Sequence, residues 1–283
     1  MRVAIVVITG ASSGIGQATA RLLATQGHSL VLAARRRERL QQLTSELGRR
    51  TAVLAVPADL ARAEDIEKLA QAAGERFGQI DVWINNAGVG GPSRPWWQAD
   101  VQAIQQVVAV DLVAPLLSVR AAFPWLRRSG HGHIINVGSV AGHIGVSGPY
   151  SASKFGIRGL SESLRRELAP YGIRVSLLSP GFVRTEMTAG VPVNMPGPEV
   201  VARAIARLIR HPRREVVVPG WYRLPMLLNR LLPGLVDPAL IWFHRHENAH
   251  GMDGREDGRT EGRTDGRTDR RKEERNSRRY GRA

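Results

Sequence analysis

Short apolar runs alternate with helical stretches along the first 218 residues of the chain. Val3–Ile8 is an unbroken apolar run with β-branched residues, which is typical of a strand buried on both faces. Ser29–Ala34 is predicted to be a second buried strand and Val53–Val56 a third. Further strands are predicted at Asp81–Ile84, His133–Val137, Arg174–Leu178 and Glu215–Val218. Because helical periodicity separates successive strands, the pattern predicts an α/β protein with a three-layer α/β/α, doubly wound architecture and a seven-stranded parallel sheet.

The predicted helices between these strands include about Ala63–Phe77, Ala99–Arg127 and Pro198–Arg210. The longest of them contains Pro115 and Pro124, where we expect kinks or breaks because proline has no N–H and its ring clashes with the preceding turn. Residues 186–198 hold several prolines and no periodic pattern, which predicts a mobile loop that covers substrate.

The chain changes character after residue 218. Residues 219–248 are largely apolar, but Arg230 and Pro233 interrupt the run, so it cannot cross a bilayer as a straight helix. We expect this extension to pack against the body of the protein or a partner subunit of a homo-oligomer, with peripheral contact at a membrane surface as the alternative. Residues 249–283 are rich in glycine and charge and almost free of apolar residues, which predicts a disordered tail.

Composition narrows the possible functions. The 283-residue chain has no cysteine, which excludes disulfides and cysteine-bound metals and fits a reducing, cytoplasmic location; we predict no metal site. The N-terminal apolar run is too short for a secretory signal, and we expect no membrane-spanning helix. The formal net charge of +15 suggests nucleic-acid binding. However, the arginines are spread over helices and tail without interleaved exposed aromatic residues, so we predict no specific nucleic-acid partner.

A glycine-rich turn follows the first predicted strand. Residues Thr9 to Gly16 read Thr-Gly-Ala-Ser-Ser-Gly-Ile-Gly and lead directly into a predicted helix. In such a unit the glycines let the backbone approach a pyrophosphate, and the helix N-terminus offers free N–H groups. We therefore predict a dinucleotide site here; a tight turn without a ligand is the alternative. Asp59 and Asn85 follow or end later strands, at the sheet edge where doubly wound folds bind ligands.

The second predicted strand ends in Arg35-Arg36-Arg37, and no acidic residue comes before Glu38. In dinucleotide-binding folds an acidic residue at this point holds the ribose hydroxyls, whereas an arginine accommodates a 2′-phosphate. The sequence therefore predicts NADP rather than NAD, with Arg35 as the first contact and Arg36 as the next. Solvated charges in the first turn of the following helix are the alternative.

Tyr150 and Lys154 open a predicted helix that extends to about Ala169. The four-residue step places both side chains on one face, about 6 Å apart along the axis. A free phenol has a pKa of about 10, but a cation 4 Å away, at an effective dielectric of 20, favours the phenolate by about 4 kcal/mol. The pair is therefore suited to acid–base work, and Ser139 adds a hydroxyl for a substrate oxygen.

Lysine is rare in this chain, which has three lysines against 37 arginines. A lysine at the position of Lys154 therefore indicates a need for a compact ammonium that guanidinium does not meet. Taken alone, however, a surface tyrosine and lysine at a helix start remain the alternative interpretation.

These motifs together resemble the short-chain dehydrogenase/reductase family from about Val3 to Pro219. The similarity rests on motifs in the family's order, namely Thr9–Gly16, Asn85-Asn-Ala-Gly88, Ser139, Tyr150-x-x-x-Lys154 and Pro180-Gly181 followed by Thr185. The resemblance implies a Rossmann-type fold and hydride transfer between the nicotinamide of NADP(H) and a carbonyl or alcohol carbon. Tyr150 would be the general acid or base, Lys154 would favour its phenolate and bind the nicotinamide ribose, and Ser139 would polarise the carbonyl.

The resemblance also implies the cofactor contacts. Asp59 would lie at the adenine, Asn85 on the nucleotide side of the sheet, and Thr185 at the nicotinamide amide. The predicted cofactor-binding residues are Gly10, Ser12, Ser13, Gly14, Ile15, Gly16, Arg35, Arg36, Asp59, Asn85, Ala87, Gly88, Tyr150, Lys154, Pro180, Gly181, Val183 and Thr185.

Asp111 departs from the family pattern, because the usual catalytic residue at this position is Asn. Aspartate could keep the backbone geometry of a proton relay while adding a charge near Lys154, so we include Asp111 among the catalytic residues. Met187, Trp221 and Met226 suit a hydrophobic substrate. The alternative function is a catalytically idle NADP(H)-binding sensor or scaffold.

Overall fold

The predicted strands form one parallel sheet. The computed structural model describes residues 3–92, 95–191, 193–238 and 240–241. The strands are β1 (Ile5–Thr9), β2 (Ser29–Ala34), β3 (Val53–Pro57), β4 (Val82–Asn85), β5 (His133–Val137), β6 (Arg174–Pro180) and β7 (Glu215–Val218). They lie in the order β3-β2-β1-β4-β5-β6-β7, and every pair is parallel. The order reverses between β1 and β4, which is the switch point where such sheets bind ligands.

Helices cover both faces of the sheet. They are α1 (Gly14–Thr25), α2 (Arg37–Leu47), α3 (Ala63–Phe77), α4 (Val101–Val108), α5 (Ala114–Ser129), α6 (Gly148–Glu167), α7 (Glu199–Arg210) and α8 (Arg223–Leu231). Side chains of β1 alternate between two cores: Val6 and Ile8 pack with α1, α2 and α7, whereas Val7 packs with α3, α5 and α6. The expected three-layer, doubly wound architecture with seven parallel strands is thus confirmed.

The long helical run in the middle of the chain differs from expectation. It extends from Val101 to Ser129 and continues through Pro115 and Pro124, so the helix is not broken at these prolines, and the expected kinks stay a prediction. Between α4 and α5 the backbone instead widens into a π-helical turn, Ala109–Val113, in which the Ala114 N–H donates to the Ala109 carbonyl. The widened turn accommodates the missing N–H of the proline just beyond it.

This helical run is also long and apolar enough to cross a membrane, judged by length and composition. Half of its apolar window is buried inside the protein, as in the core helices of soluble folds. It is therefore weak evidence for a spanning segment.

The first part of the C-terminal extension packs against the chain that follows β5 and β6. Residues up to Leu232 form one compact unit, and those from Pro233 form a second, in which residues 233–238 are helical. In the first unit, the Tyr222 ring packs directly on Gly181, leaving no room for a side chain there. The Asn229 amide of α8 donates to the carbonyl of His143 at 3.1 Å. The tail predicted to be disordered, 249–283, lies outside the described residues.

Candidate active site

The glycine-rich turn between β1 and α1 has a backbone that requires glycine. Gly10 and Gly14 have φ angles of 68° and 51°, in the left-handed region that side chains disfavour. A Cβ at Gly16 would collide with the Gly10 carbonyl, so the first turn of α1 can approach the strand end only with glycine there. The turn therefore presents bare backbone to the switch point, as a pyrophosphate cradle requires.

A cleft of about 500 Å³ opens above this turn. It is lined by Gly10, Ser12, Ser13, Gly14, Ile15, Ala34, Arg35, Arg36, Ala58, Asp59, Leu60, Asn86, Ala87, Gly88, Val89, Gly90, Val110, Thr185, Glu186 and Met187. The lining combines glycines, serines, arginines and aliphatic side chains, which fits the phosphates, ribose and adenine of a dinucleotide.

Hydrogen bonds across the switch point hold the ends of β1 and β4 together. The Thr9 hydroxyl donates to the Ile84 carbonyl at 3.1 Å and accepts from the N–H groups of Asn86 and Ala87 at 3.0 and 3.1 Å. The Asn86 amide donates to the Thr9 carbonyl at 2.8 Å. Because both strand ends are tied to each other, the Asn85–Gly88 segment keeps a fixed position beside the glycine turn.

The side-chain amide of Asn85 forms its hydrogen bonds with other side chains inside the protein. Its side-chain oxygen accepts from Trp83 Nε1, and its amide donates to the side-chain oxygen of Asn136, both at 2.8 Å. Asn136 in turn donates to the Ser161 hydroxyl at 2.9 Å. Asn85 is buried and does not line the cleft, so its observed role is to join β4, β5 and α6.

Arg36 lines the cleft beside the glycine turn. Its guanidinium donates to the Ser13 hydroxyl at 2.6 Å and to the Ser12 hydroxyl at 3.3 Å. Arg35 also lines the cleft but is exposed. The arginine run therefore supplies two cations beside the glycine turn, and the hydrogen bonds make Arg36 the better anchored of the two.

Lys154 and Asp111 form a buried ion pair beside the cleft. The Lys154 Nζ lies 3.0 Å from Asp111 Oδ2, and the side chains are 7% and 0% exposed. Burial alone lowers the pKa of Lys154, but the Asp111 carboxylate and Tyr150 together more than offset it and hold the pKa above its ordinary value. The other Asp111 oxygen accepts from the Val89 N–H at 2.7 Å. This pair thus joins α6, the π-helical turn and the chain after β4.

Tyr150 lies on α6, in the same helix as Lys154, and Ser139 follows the end of β5. The Lys154 Nζ lies 5.3 Å from the centroid of the Tyr150 ring, which is half-buried. The Ser139 hydroxyl accepts from the Ala141 N–H at 3.1 Å, at the start of a short 3₁₀ turn. That turn is pressed against α6 so closely that a Cβ on Gly142 would lie 2.5 Å from the Lys154 carbonyl oxygen.

Apolar side chains surround this corner of the cleft. The Trp96 indole packs on Gly148, two residues before Tyr150, where a Cβ would lie 2.6 Å from its ring nitrogen. Met187 lies over Gly90, with 3.6 Å between its Cγ and the position of a Cβ there. Trp96 therefore lies beside the first turn of α6, which carries Tyr150, and Met187 is part of the lining of the cleft.

A polar cluster braces the loop between Ser139 and Tyr150. The His143 Nε2 lies 2.7 Å from Glu215 Oε1, and the Ser179 hydroxyl donates to the same oxygen at 2.9 Å. Burial raises the pKa of Glu215, but His143, the Ser179 hydroxyl and Arg158 together outweigh it and keep the pKa below its ordinary value. Among the described residues, no group of three or more His, Asp or Glu side chains is arranged to hold a metal ion.

Comparison with known proteins decides the family. Residues 4–195 match the family model described as short chain dehydrogenase. The chain belongs to the short-chain dehydrogenase family. An uncharacterised oxidoreductase of Staphylococcus saprophyticus is 37% identical over 229 residues, which cover 75% of this chain and 92% of the relative. This short-chain dehydrogenase is therefore an oxidoreductase.

Solved structures with bound nucleotides resemble this short-chain dehydrogenase. A metagenomic short-chain oxidoreductase in complex with NADP is 34% identical, with a TM-score of 0.68, 76% of this chain covered and 96% of that chain. A short-chain dehydrogenase/reductase from Burkholderia phymatum in complex with NAD is 27% identical, with a TM-score of 0.76, 82% of this chain covered and 95% of that chain. Such neighbours bind either nucleotide, so the choice between NADP and NAD depends on residues of this chain.

Most of the predicted cofactor residues of this short-chain dehydrogenase line the cleft. Those outside the lining are Gly16, Asn85, Tyr150, Lys154, Pro180, Gly181 and Val183. Sequence reasoning missed Asn86, whose amide ties the switch point, and Glu186, which pairs with Arg36. The motif Asn-Asn-Ala-Gly already contains Asn86, so the sequence offered a signal for it. Nothing in the sequence indicates that Glu186 pairs with Arg36, because 150 residues separate the two.

Proposed function

We propose that this protein is an NADP(H)-dependent oxidoreductase that transfers a hydride between the nicotinamide and a carbonyl or alcohol carbon of a hydrophobic substrate. This proposal rests on one observation: the buried ammonium of Lys154 lies beside the Tyr150 ring, at the edge of a glycine-lined cleft. A phenol next to a buried cation is suited to proton transfer, and a cleft of this lining is suited to a dinucleotide.

Bound NADP(H) supplies or accepts the hydride. In the direction of reduction, Tyr150 donates its proton to the carbonyl oxygen while the carbonyl carbon gains the hydride; in oxidation it takes the proton from the alcohol. The Lys154 ammonium stabilises the phenolate that proton donation leaves, and the Ser139 hydroxyl holds the substrate oxygen. Asp111 acts through Lys154: its carboxylate fixes the ammonium at 3.0 Å and balances its charge in a buried site.

Replacement of Tyr150 by Phe tests this function. We expect turnover to fall by about 10²- to 10⁴-fold, the usual contribution of a positioned acid–base group, while NADPH binding stays within about threefold of wild type. Absorbance of NADPH with a panel of aldehydes and ketones measures the first, and fluorescence titration measures the second. The matched control is Tyr171→Phe, because Tyr171 is exposed and packs on Phe123 away from the cleft. Loss of turnover and of NADPH binding together would instead indicate a structural role for Tyr150.

The preference for NADP rests on the arginines beside the glycine turn. A hydrogen bond to a charged group contributes about 1.5–3 kcal/mol, so Arg36→Ala should weaken NADP binding by about 10- to 100-fold. Binding of NAD should change much less. Arg35→Ala measures the share of the neighbouring residue, and Arg37→Ala is the control because Arg37 does not line the cleft. Equal effects on NADP and NAD from every variant would contradict the assignment.

A hydrophobic substrate is supported by the groups around Tyr150. Trp96 packs at the start of α6, and Met187 lies over Gly90. A Trp96→Ala variant should raise KM for cyclohexyl and aryl ketones more than for acetone, and equal changes would favour a polar substrate. This assay needs no knowledge of the natural substrate.

The extension after β7 is proposed to contact a second copy of the chain or a membrane surface. Helix α8 is anchored through Asn229, while Leu224, Leu227, Leu228 and Leu231 are exposed. We expect a homo-oligomer in a cytoplasmic location. Light scattering and liposome flotation, each with Leu227→Ser beside wild type, distinguish subunit contact from membrane contact.

A catalytically idle NADP(H)-binding protein is the second candidate, and the observation that favours it is the neutralised Lys154–Asp111 pair. NADPH oxidation with any carbonyl of the panel, abolished in Tyr150→Phe, excludes it. Tight NADPH binding without turnover would support it.

A further inference from the structure

A carboxylate of the chain itself forms ion pairs with the arginines that follow the second strand. Glu186 Oε2 lies 2.6 Å from Arg36 Nη1, and Glu186 Oε1 accepts from Arg39 Nη1. Arg36 is held at its other side by the hydroxyls of Ser12 and Ser13. Arg36 and Glu186 both line the cleft and come from opposite parts of the chain, so their contact forms a bridge across it.

The bridge has the chemistry of a bound phosphate. Two guanidinium groups and two serine hydroxyls converge on one region, and Glu186 supplies the anion. Hydrogen bonds from Arg36 and Arg39 hold the pKa of Glu186 below its ordinary value, so the group is an anion at neutral pH. Each arginine donates one N–H to one oxygen of Glu186, and guanidinium groups donate to the oxygens of a phosphate in the same way.

We propose that Glu186 competes with the 2′-phosphate of the cofactor for Arg36 and Arg39, so that the two anions occupy these arginines alternately. This inference rests on the proposed preference for NADP. A site that is free only part of the time binds its ligand more weakly by that fraction, so Glu186 lowers the affinity for 2′-phosphorylated nucleotides. The affinity for a nucleotide without the 2′-phosphate increases less when the arginines are free.

The competition also links the phosphate site to the loop over the substrate. Glu186 begins a short turn, Glu186–Thr188, that is fixed by reciprocal hydrogen bonds between Thr185 and Thr188. When a phosphate takes the arginines, the ion pairs that hold the outer end of this turn are lost. Because thermodynamic coupling is reciprocal, any interaction that stabilises the contact of Glu186 with the arginines weakens phosphate binding by the same factor.

Calorimetric titration of Glu186→Gln with adenosine 2′,5′-bisphosphate and with adenosine 5′-monophosphate tests the proposal at low ionic strength. The amide keeps the shape and removes the charge. Because exposed ion pairs couple weakly, we expect the bisphosphate to bind about three- to tenfold more tightly to the variant, and the monophosphate to change less than about twofold. Glu46→Gln is the matched control, because Glu46 pairs with Arg21 in an equally exposed bridge outside the cleft.

Unaltered or weaker bisphosphate binding in Glu186→Gln, relative to Glu46→Gln, would overturn the inference while leaving the proposed NADP preference intact. A wild-type protein that binds both probes equally would overturn the NADP preference, and with it this inference. Hydrogen exchange of a peptide over residues 185–189 provides a second readout. The bisphosphate should speed exchange in wild type, whereas Glu186→Gln should exchange fast without ligand; unchanged exchange in both would refute release of the turn.

Discussion

The buried Lys154–Asp111 pair predicts a rescue of stability by a second substitution. Lys154→Met removes the ammonium and leaves the Asp111 carboxylate, which is 0% exposed, without a counter-charge. At 3.0 Å and an effective dielectric of about 20, the lost attraction is about 5 kcal/mol. Removal of one partner of such a pair costs about 3–5 kcal/mol of unfolding free energy. Adding Asp111→Asn removes the stranded charge while an amide oxygen still accepts from the Val89 N–H, so the double variant should regain about 2–3 kcal/mol.

Urea unfolding followed by far-ultraviolet circular dichroism measures this cycle in the wild type, both single variants and the double variant. Lys68→Met is the control, because Lys68 is exposed on α3 and its loss should change stability by less than about 0.5 kcal/mol. The coupling should be present below pH 10.5, the ordinary pKa of lysine, and fade as the pH rises through the raised pKa of Lys154. Additive single effects, without rescue, would refute the idea that the two charges stabilise each other.

Two further predictions concern other buried groups. Burial lowers the pKa of His133 from 6.5 to about 3, so the unfolded chain binds the proton first and stability is lost as the pH falls below 6.5. Urea unfolding at pH 5 should show about 2 kcal/mol of loss in wild type that His133→Asn lacks, and equal losses would contradict this. Gly142→Ala would place a methyl group against the Lys154 carbonyl and displace the turn that begins at Ser139, so turnover should fall at least about tenfold while NADPH binding is kept. Gly145→Ala is the control, because a methyl group there meets open space. Equal turnover in the two variants would refute the displacement.

Local pattern was enough to predict the elements that are buried on both faces. The strands Ser29–Ala34 and His133–Val137 have the predicted bounds, as does the helix Ala63–Phe77. Ser29–Ala34 and His133–Val137 are short, mostly aliphatic segments, and α3 carries a regular apolar stripe; burial selects for such patterns directly. The glycine turn was predictable for a similar reason, since left-handed backbone at Gly10 restricts the residue type.

The parts of the site that depend on distant partners could not be predicted in this way. Arg36 was ranked behind Arg35, because only the folded chain shows which guanidinium reaches Ser12 and Ser13. Asn85 was expected at the nucleotide, but its amide is used by Asn136 on the next strand. In each case a neighbour in space, not in sequence, decides how the polar group is used.

The placement of Asp111 shows how a small backbone irregularity sets the electrostatics of the site. Asp111 lies inside the π-helical turn, where the Ala114 N–H bonds five residues back to Ala109. Pro115 follows and has no N–H with which to restore the four-residue pattern at Asp111. The widened turn holds a fully buried carboxylate, and burying a charged group is costly unless it is paired with an opposite charge. Lys154 is that cation, and its ammonium lies 5.3 Å from the centroid of the Tyr150 ring, so the pairing that balances the buried carboxylate also fixes the ammonium beside the phenol.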